Sequence, residues 1–137
     1  MNILFMCVAN SARSQLAEAL AKSIFPAHFN IESAGSNPTS VNPFAVQVLS
    51  EIGINLQDSS SKTVDKLTAS FLSQLNFVIT LCQEEVCPAV LAPQAKKLHW
   101  PLPDPAQKNI SSEKSLELFR QTRDDIAEKL KLFLKTL

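Results

Sequence analysis

Cys7 and Arg13 are separated by five residues, and Ser14 comes directly after. A cysteine and an arginine so spaced can close a loop, Cys7-Val8-Ala9-Asn10-Ser11-Ala12-Arg13-Ser14, whose backbone N–H groups point inward as a nest for an anion. A positive field of that kind favours thiolate, the nucleophilic form, at neutral pH. Arg13 adds a planar fork that can grip two oxygens of a tetrahedral oxyanion. Ser14 either hydrogen-bonds the Cys7 sulfur or caps the adjoining helix. The loop contains no glycine, so Asn10 is the residue best suited to a left-handed backbone.

Three further residues carry chemistry. Asp104 lies between Pro103 and Pro105. It reads either as a turn residue or as an acid able to protonate a leaving oxygen opposite a thiolate. Cys82 and Cys87 are the other two of three cysteines. Zinc would need tighter spacing and a fourth donor, and the only histidines are His28 and His99. A buried inert thiol remains a fair reading of either cysteine alone. A pair just beyond a strand is better explained by thiol–disulfide exchange.

These residues need elements to bring them together. Residues 2–7 are a continuous apolar run, the pattern of a strand buried on both faces of a parallel sheet. A helix is expected over 12–25 with Leu16, Ala17, Leu20 and Ile24 on one face, ended by Pro26. A strand over 28–33 leads into the loop Ala34-Gly35-Ser36-Asn37-Pro38. Pro43 opens a helix lined by Phe44, Val48, Leu49 and Ile52, and Gly53 stops it. A short helix over 65–74 precedes strands at 77–81 and 96–100. The segment 101–105 is too proline-rich for helix interior or central strand and reads as a stiff surface loop. The last helix, 112–136, carries the stripe Leu116, Phe119, Ile126, Leu130, Phe133 and Leu137. Arg123 interrupts it, its stem packing while its head reaches water. Alternating strands and helices imply a single α/β domain over residues 1–137. Its centre is a four-stranded parallel sheet with helices on both faces. Ligands in such folds bind beyond the C-terminal ends of the strands. Cys7, Cys82 and Asp104 all come after strands, so one rim gathers them.

The bulk properties narrow the class. A chain of 137 residues with 45% hydrophobic and 19% charged residues is globular and large enough to bury a core. Thirteen basic residues balance thirteen acidic ones, which gives no support to nucleic-acid or membrane-surface binding. The N-terminus lacks a basic region and has only a short apolar run, so a strand is expected there and not a signal peptide. A reducing cytoplasmic location is expected, where three cysteines are catalytic, redox-active or buried.

At these residues the chain resembles the low-molecular-weight tyrosine phosphatase superfamily, and within it the thioredoxin-coupled arsenate reductases. The likeness rests on Ser11-Ala12-Arg13-Ser14-Gln15-Leu16-Ala17-Glu18, Ser33-Ala34-Gly35, Val41-Asn42-Pro43, Val78-Ile79-Thr80-Leu81-Cys82, Cys87-Pro88, Leu98-His99-Trp100 and Asp104-Pro105-Ala106. Departures are Ala9 in place of the family's usual glycine and Ala12 where many members carry a second loop cysteine. Ala106 and Gln107 stand where phosphatase relatives place aromatics. The resemblance implies that Cys7 attacks arsenate with Asp104 as acid and that Cys82 then attacks Cys7. Cys87 closes a Cys82–Cys87 disulfide for thioredoxin to reduce. No metal or cofactor is implied, phosphate or sulfate would act as analogues of arsenate, and a monomer is expected. Glu18 and Ser33 match positions near a structural monovalent cation, and Lys62 would supply an ammonium in its place. Two alternatives stay open: a phosphatase acting on phosphotyrosine, and a non-catalytic oxyanion-binding redox module. Residues five apart in a helix are displaced by about 7.5 Å along its axis, whereas a disulfide needs Cα atoms within about 7 Å. If 83–87 is helical when reduced, it must unwind on oxidation.

Overall fold

The computed structural model describes residues 1–56, 60–83 and 92–137. Its frame is a parallel sheet in the order β2-β1-β3-β4. The strands are β1 (Asn2–Met6), β2 (Asn30–Ala34), β3 (Leu75–Thr80) and β4 (Lys96–His99). β1 is buried along its whole length and pairs on both sides, Phe5 lying opposite Ser33 of β2 and Ile79 of β3. A strand with no solvated face has no use for alternating polar residues, which is why its sequence reads as an unbroken apolar run.

Successive side chains of β1 serve different layers. Ile3 and Phe5 join Leu16, Leu20, Val48, Leu49, Phe119, Ile126 and Leu130 in the larger core. That layer is built by α1 (Arg13–Ile24), α2 (Pro43–Ser50) and α4 (Ser112–Lys135). Leu4 and Met6 face the opposite way, packing with Leu75, Val78, Ala92 and Ala95. This second layer is thinner, its outer wall being a 3₁₀ turn at Val64–Lys66 and the short α3 (Ala69–Ser73). Helices therefore cover both faces, as the alternating pattern predicts. Among the described residues no helix is long and apolar enough to cross a membrane.

Local chemistry sets the boundaries. Asn42 accepts a hydrogen bond from Phe44 N and caps α2 with Pro43 in its first turn, while Gly53 takes a positive φ of 81° just past its end. The single helix expected over 65–74 is instead split. The Thr68 side chain accepts from Phe71 N, and this cap starts a new helix where the old one would have continued. β2 begins two residues later than expected, because Phe29 N turns back to Pro26 O and pairing with the first strand starts at Asn30, whose N–H donates to Met1 O.

Arg123 also differs from expectation. Its head does not reach freely into water: Nη1 donates to Val48 O and to Glu51 Oε1, both at 2.9 Å. Arg120 grips the same carboxylate with two nitrogens, so α4 is clamped to the C-terminal end of α2, where orphan carbonyls welcome a cation. The hydrogen bond from Arg120 foremost, with those from Arg123, holds the Glu51 carboxyl below its ordinary 4.5. A lowered folded-state value means that the clamp stabilises the fold above pH 4.5 and is lost as pH falls through that lowered value. Glu51→Gln should therefore lower the thermal midpoint near neutrality, with the gap to wild type closing in acid and shrinking in high salt. A gap independent of pH would contradict the clamp.

Candidate active site

Cys7 is the first residue beyond β1, and α1 begins six residues later at Arg13. The intervening carbonyls from Val8 to Ser11 all find donors outside the loop. Asn37 N bonds Val8 O at 2.9 Å, Thr39 N bonds Ala9 O at 3.0 Å and Asn42 N bonds Ser11 O at 2.9 Å. The Ser61 hydroxyl donates to Asn10 O at 2.6 Å. In a planar trans peptide the N–H points opposite to the C=O. Tying these carbonyls outward therefore turns the amides of Ala9, Asn10, Ser11 and Ala12 inward. The loop borders a cavity of about 110 Å³ lined by Cys7, Val8, Ala9, Ser11, Ala12, Arg13 and Asp104. Among the described residues no side chain caps the N-terminus of α1 and no acid sits in its first turn, which leaves its positive end to an anion.

Asn10 takes the left-handed conformation the glycine-free loop requires, with φ 48°. Sequence reasoning missed how heavily it is held. Its carbonyl accepts from Ser61 Oγ and Gln15 Nε2, and its Oδ1 accepts from Lys62 N and Gln15 Nε2. Its own amide hydrogens go to Ser14 Oγ at 2.7 Å and Ser33 Oγ at 3.0 Å. Both serines are thereby made acceptors, and their hydroxyl protons must go elsewhere. Ser33 directs its proton to Glu18 Oε1 at 2.7 Å. Ser14 has its own proton to offer to Cys7 Sγ at 2.9 Å. Of the two roles open to Ser14, the structure selects the sulfur, since the N-cap position is Ala12.

Arg13 is buried and aimed by Nη1 at Leu102 O, 3.0 Å away, while Nη2 lies 4.0 Å from Asp104 Oδ2. The proline-rich loop thus anchors the guanidinium and presents the acid beside it. Asp104 Oδ1 accepts from Ala106 N at 3.0 Å as a turn residue would, and Asp104 also lines the cavity beside Cys7 and Arg13. Outside lies a wider mouth of about 590 Å³, lined by Arg13, Gln83, Pro103, Asp104, Ala106, Gln107 and Lys108. Among these described residues there is no aromatic ring.

Cys7 is a buried free thiol. Cys82 is buried two residues beyond β3 and disulfide-bonded. Leu81 N donates to Met6 O at 2.9 Å, so the residue before Cys82 pairs with the residue before Cys7, and both leave neighbouring strands on one rim. Cys87 lies outside the described residues, as does all of the segment 83–87 beyond Gln83, on which the conditional unwinding falls. Lys62 Nζ lies 3.8 Å from Glu18 Oε1 and 3.5 Å from Glu32 Oε2, and Lys22 adds a second ammonium 3.0 Å from Glu18 Oε2. A buried carboxylate is tolerable in such company. Among the described residues no cluster of three or more His, Cys, Asp or Glu suits a metal ion.

Residues 2–137 match the sequence profile of the low molecular weight phosphotyrosine protein phosphatases. The chain belongs to that family. Within it, the chain is 36% identical over 136 residues to the arsenate reductase of Halalkalibacterium halodurans, covering 98% of this chain and 95% of that protein. The crystal structure of arsenate reductase from Archaeoglobus fulgidus superposes with a TM-score of 0.78 at 27% identity, covering 97% of this chain and 98% of the other. A thioredoxin-dependent arsenate reductase of Corynebacterium glutamicum gives 0.69 at 29% identity over 98% of this chain and 62% of that longer one.

Just past the end of β2, Gly35 is pressed against the loop that follows Cys7. A Cβ there would lie 2.4 Å from Val8 O, 2.8 Å from Cys7 O and 3.0 Å from Asn10 N. These are backbone atoms, which cannot swing aside. Gly35→Ala should cost about 1–3 kcal/mol of stability, as overpacking does, and should weaken phosphate binding measured by titration calorimetry. Unchanged stability and affinity would show that the loop can yield.

Proposed function

We propose that this chain is an arsenate reductase in which Cys7, Cys82 and Cys87 act as a three-thiol relay. The observation that carries the proposal is that two cysteines leave neighbouring strands at the same edge of the sheet: Cys7 lines the cavity, and Cys82 follows Leu81, whose N–H pairs with Met6 O. A hydrolytic phosphatase uses the first and has no use for the second. The sequence relatives named as arsenate reductases support the same reading.

In the proposed cycle arsenate occupies the loop of residues 8–14, its oxygens taking the inward amides and the Arg13 fork. Ser14 Oγ hydrogen-bonds Cys7 Sγ and orients it. Cys7 Sγ bonds to arsenic while one arsenate hydroxyl leaves as water, its proton supplied by Asp104. Cys82 as thiolate then attacks Cys7 Sγ. A disulfide forms, the electron pair of the As–S bond stays on arsenic, and As(V) departs as arsenite, As(III). Cys87 attacks Cys82 Sγ and expels Cys7 as thiolate, ready for another turn. A dithiol such as thioredoxin reduces the remaining disulfide and supplies the two electrons. A disulfide-bonded Cys82 together with a free Cys7 fits the state just before that last step. The proposed setting is the cytoplasm, where thiols are kept reduced, with the enzyme acting as a monomer and phosphate or sulfate competing for the loop.

The Lys62 ammonium, set between Glu18 and Glu32, takes the part of a structural cation in this scheme. Activity should accordingly be the same with potassium or with a bulky organic cation, and Lys62→Ala should introduce potassium dependence. Strong dependence in the wild type would overturn that role.

Arsenate-dependent NADPH oxidation with thioredoxin and thioredoxin reductase tests the whole reading. Wild type should turn over, and serine variants of Cys7, Cys82 and Cys87 should each lose activity on the order of a thousandfold or more, as members of a catalytic unit do. Normal arsenite production by Cys82→Ser would sink the relay. Steady aryl phosphate hydrolysis unaffected by that substitution, without arsenate turnover, would establish the phosphatase instead. Tight oxyanion binding with no turnover at all would leave a binding module.

A further inference from the structure

We propose that Gln15 is a positioning residue for the anion loop, acting through Asn10 as the donor that holds this residue left-handed. The inference rests on the anion-binding half of the proposed function and not on the thiol relay.

Gln15 is 1% exposed and lies in the first turn of α1, among apolar neighbours such as Leu16 and Ala17. Its Nε2 stands 3.1 Å from Asn10 O, 3.2 Å from Asn10 Oδ1 and 3.1 Å from Ser60 O. All three are acceptors only. The amide therefore cannot be reversed, because its carbonyl would then face three oxygens. In the orientation observed, Oε1 is buried without a partner among the described residues. A buried unsatisfied acceptor is costly and native structures tolerate few of them. A hydrophobic residue would avoid that cost, so what the glutamine contributes here is its NH₂ group.

The two hydrogens join three segments that are distant in sequence or in direction: α1, the anion loop and the connection at Ser60. Asn10 needs such a hold. A non-glycine residue at positive φ is kept there by its surroundings and not by its own preference. Among the described residues Gln15 is the one side chain that bonds both the backbone and the side-chain oxygen of Asn10. It so couples the peptide after the left-handed turn to the side chain of the turn itself. Released, the Asn10 carbonyl could rotate, and the inward amide of Ser11 would rotate with it.

Substitution by residues of similar size separates this role from simple filling of space. Glutamate matches glutamine in shape but turns an oxygen toward three oxygens, whereas methionine fills the volume and offers no donor. If Gln15 only occupies space, Gln15→Glu should resemble wild type. The positioning role predicts the reverse order: phosphate affinity of the folded protein, measured by titration calorimetry, falls about tenfold in Gln15→Met, the worth of roughly one such hydrogen bond. It falls further in Gln15→Glu and recovers in part at acid pH as the new carboxyl gains a proton. A lower thermal midpoint with unchanged phosphate affinity in both variants would overturn the proposal. Should the glutamate variant not fold, Gln15→Met and Ser61→Ala, singly and combined, carry the test, because both remove donors from the Asn10 carbonyl. The effect of the pair on affinity should then depart from the product of the single effects, and strictly multiplicative losses would overturn it. A wild-type protein that binds neither phosphate nor arsenate would overturn the anion-loop reading itself.

Discussion

Peptide planarity, applied to a handful of consecutive residues, is the constraint on which this site depends. The carbonyls of residues 8–11 are each bonded from outside the loop, by Asn37, Thr39, Ser61 and Asn42. Once those oxygens are satisfied outward, the amides have nowhere to point but inward. The anion nest is therefore a by-product of ordinary hydrogen-bond satisfaction in the scaffold. Nothing in the loop itself, which lacks even a glycine, would impose the shape on an isolated peptide. The functional groups that look local in sequence are thus held by a shell drawn from separate connections.

Asn10 is where this shell meets the chemistry. It gives one amide hydrogen toward the Cys7 sulfur through Ser14 and the other toward a buried carboxylate through Ser33. The two branches differ in charge environment. One ends at a sulfur facing an arginine fork, the other at Glu18 with two lysine ammoniums. A chain with no net formal charge thereby keeps strongly polar local fields, and the balance over the whole sequence conceals them.

Much of the architecture is legible in the sequence, and what is not shares a cause. The unbroken apolar run before Cys7, the cysteine–arginine spacing, the asparagine in a glycine-free loop and the apolar faces of the first and last helices all express local rules. Each shows in the sequence as a pattern of residue types. The roles of Gln15 and Gly35 have no such pattern. Gly35 matters because β2 leaves the sheet against the loop, and Gln15 because α1 starts beside Ser60. These are facts of tertiary approach. Thr68 and Arg123 illustrate the same limit from the other side: a cap breaks a plausible helix, and an expected surface arginine finds carbonyl and carboxylate partners on a neighbouring helix. A glutamine directly after Arg13-Ser14, just ahead of the apolar residues Leu16 and Ala17, is the one signal that could have pointed to Gln15.

The hydrogen bond from Arg13 to Leu102 has a consequence in time as well as in space. Synthesis makes Cys7 almost first, yet the Arg13 guanidinium is steadied by a carbonyl formed 89 residues after it. Between the two events the chain must also lay down the donors at 37, 39, 42 and 61. Such non-local closure is slow compared with helix formation. A growing chain on the ribosome therefore carries both Cys7 and Arg13 through most of its synthesis without the carbonyl that steadies the guanidinium. The site is armed only when nearly all of the fold exists.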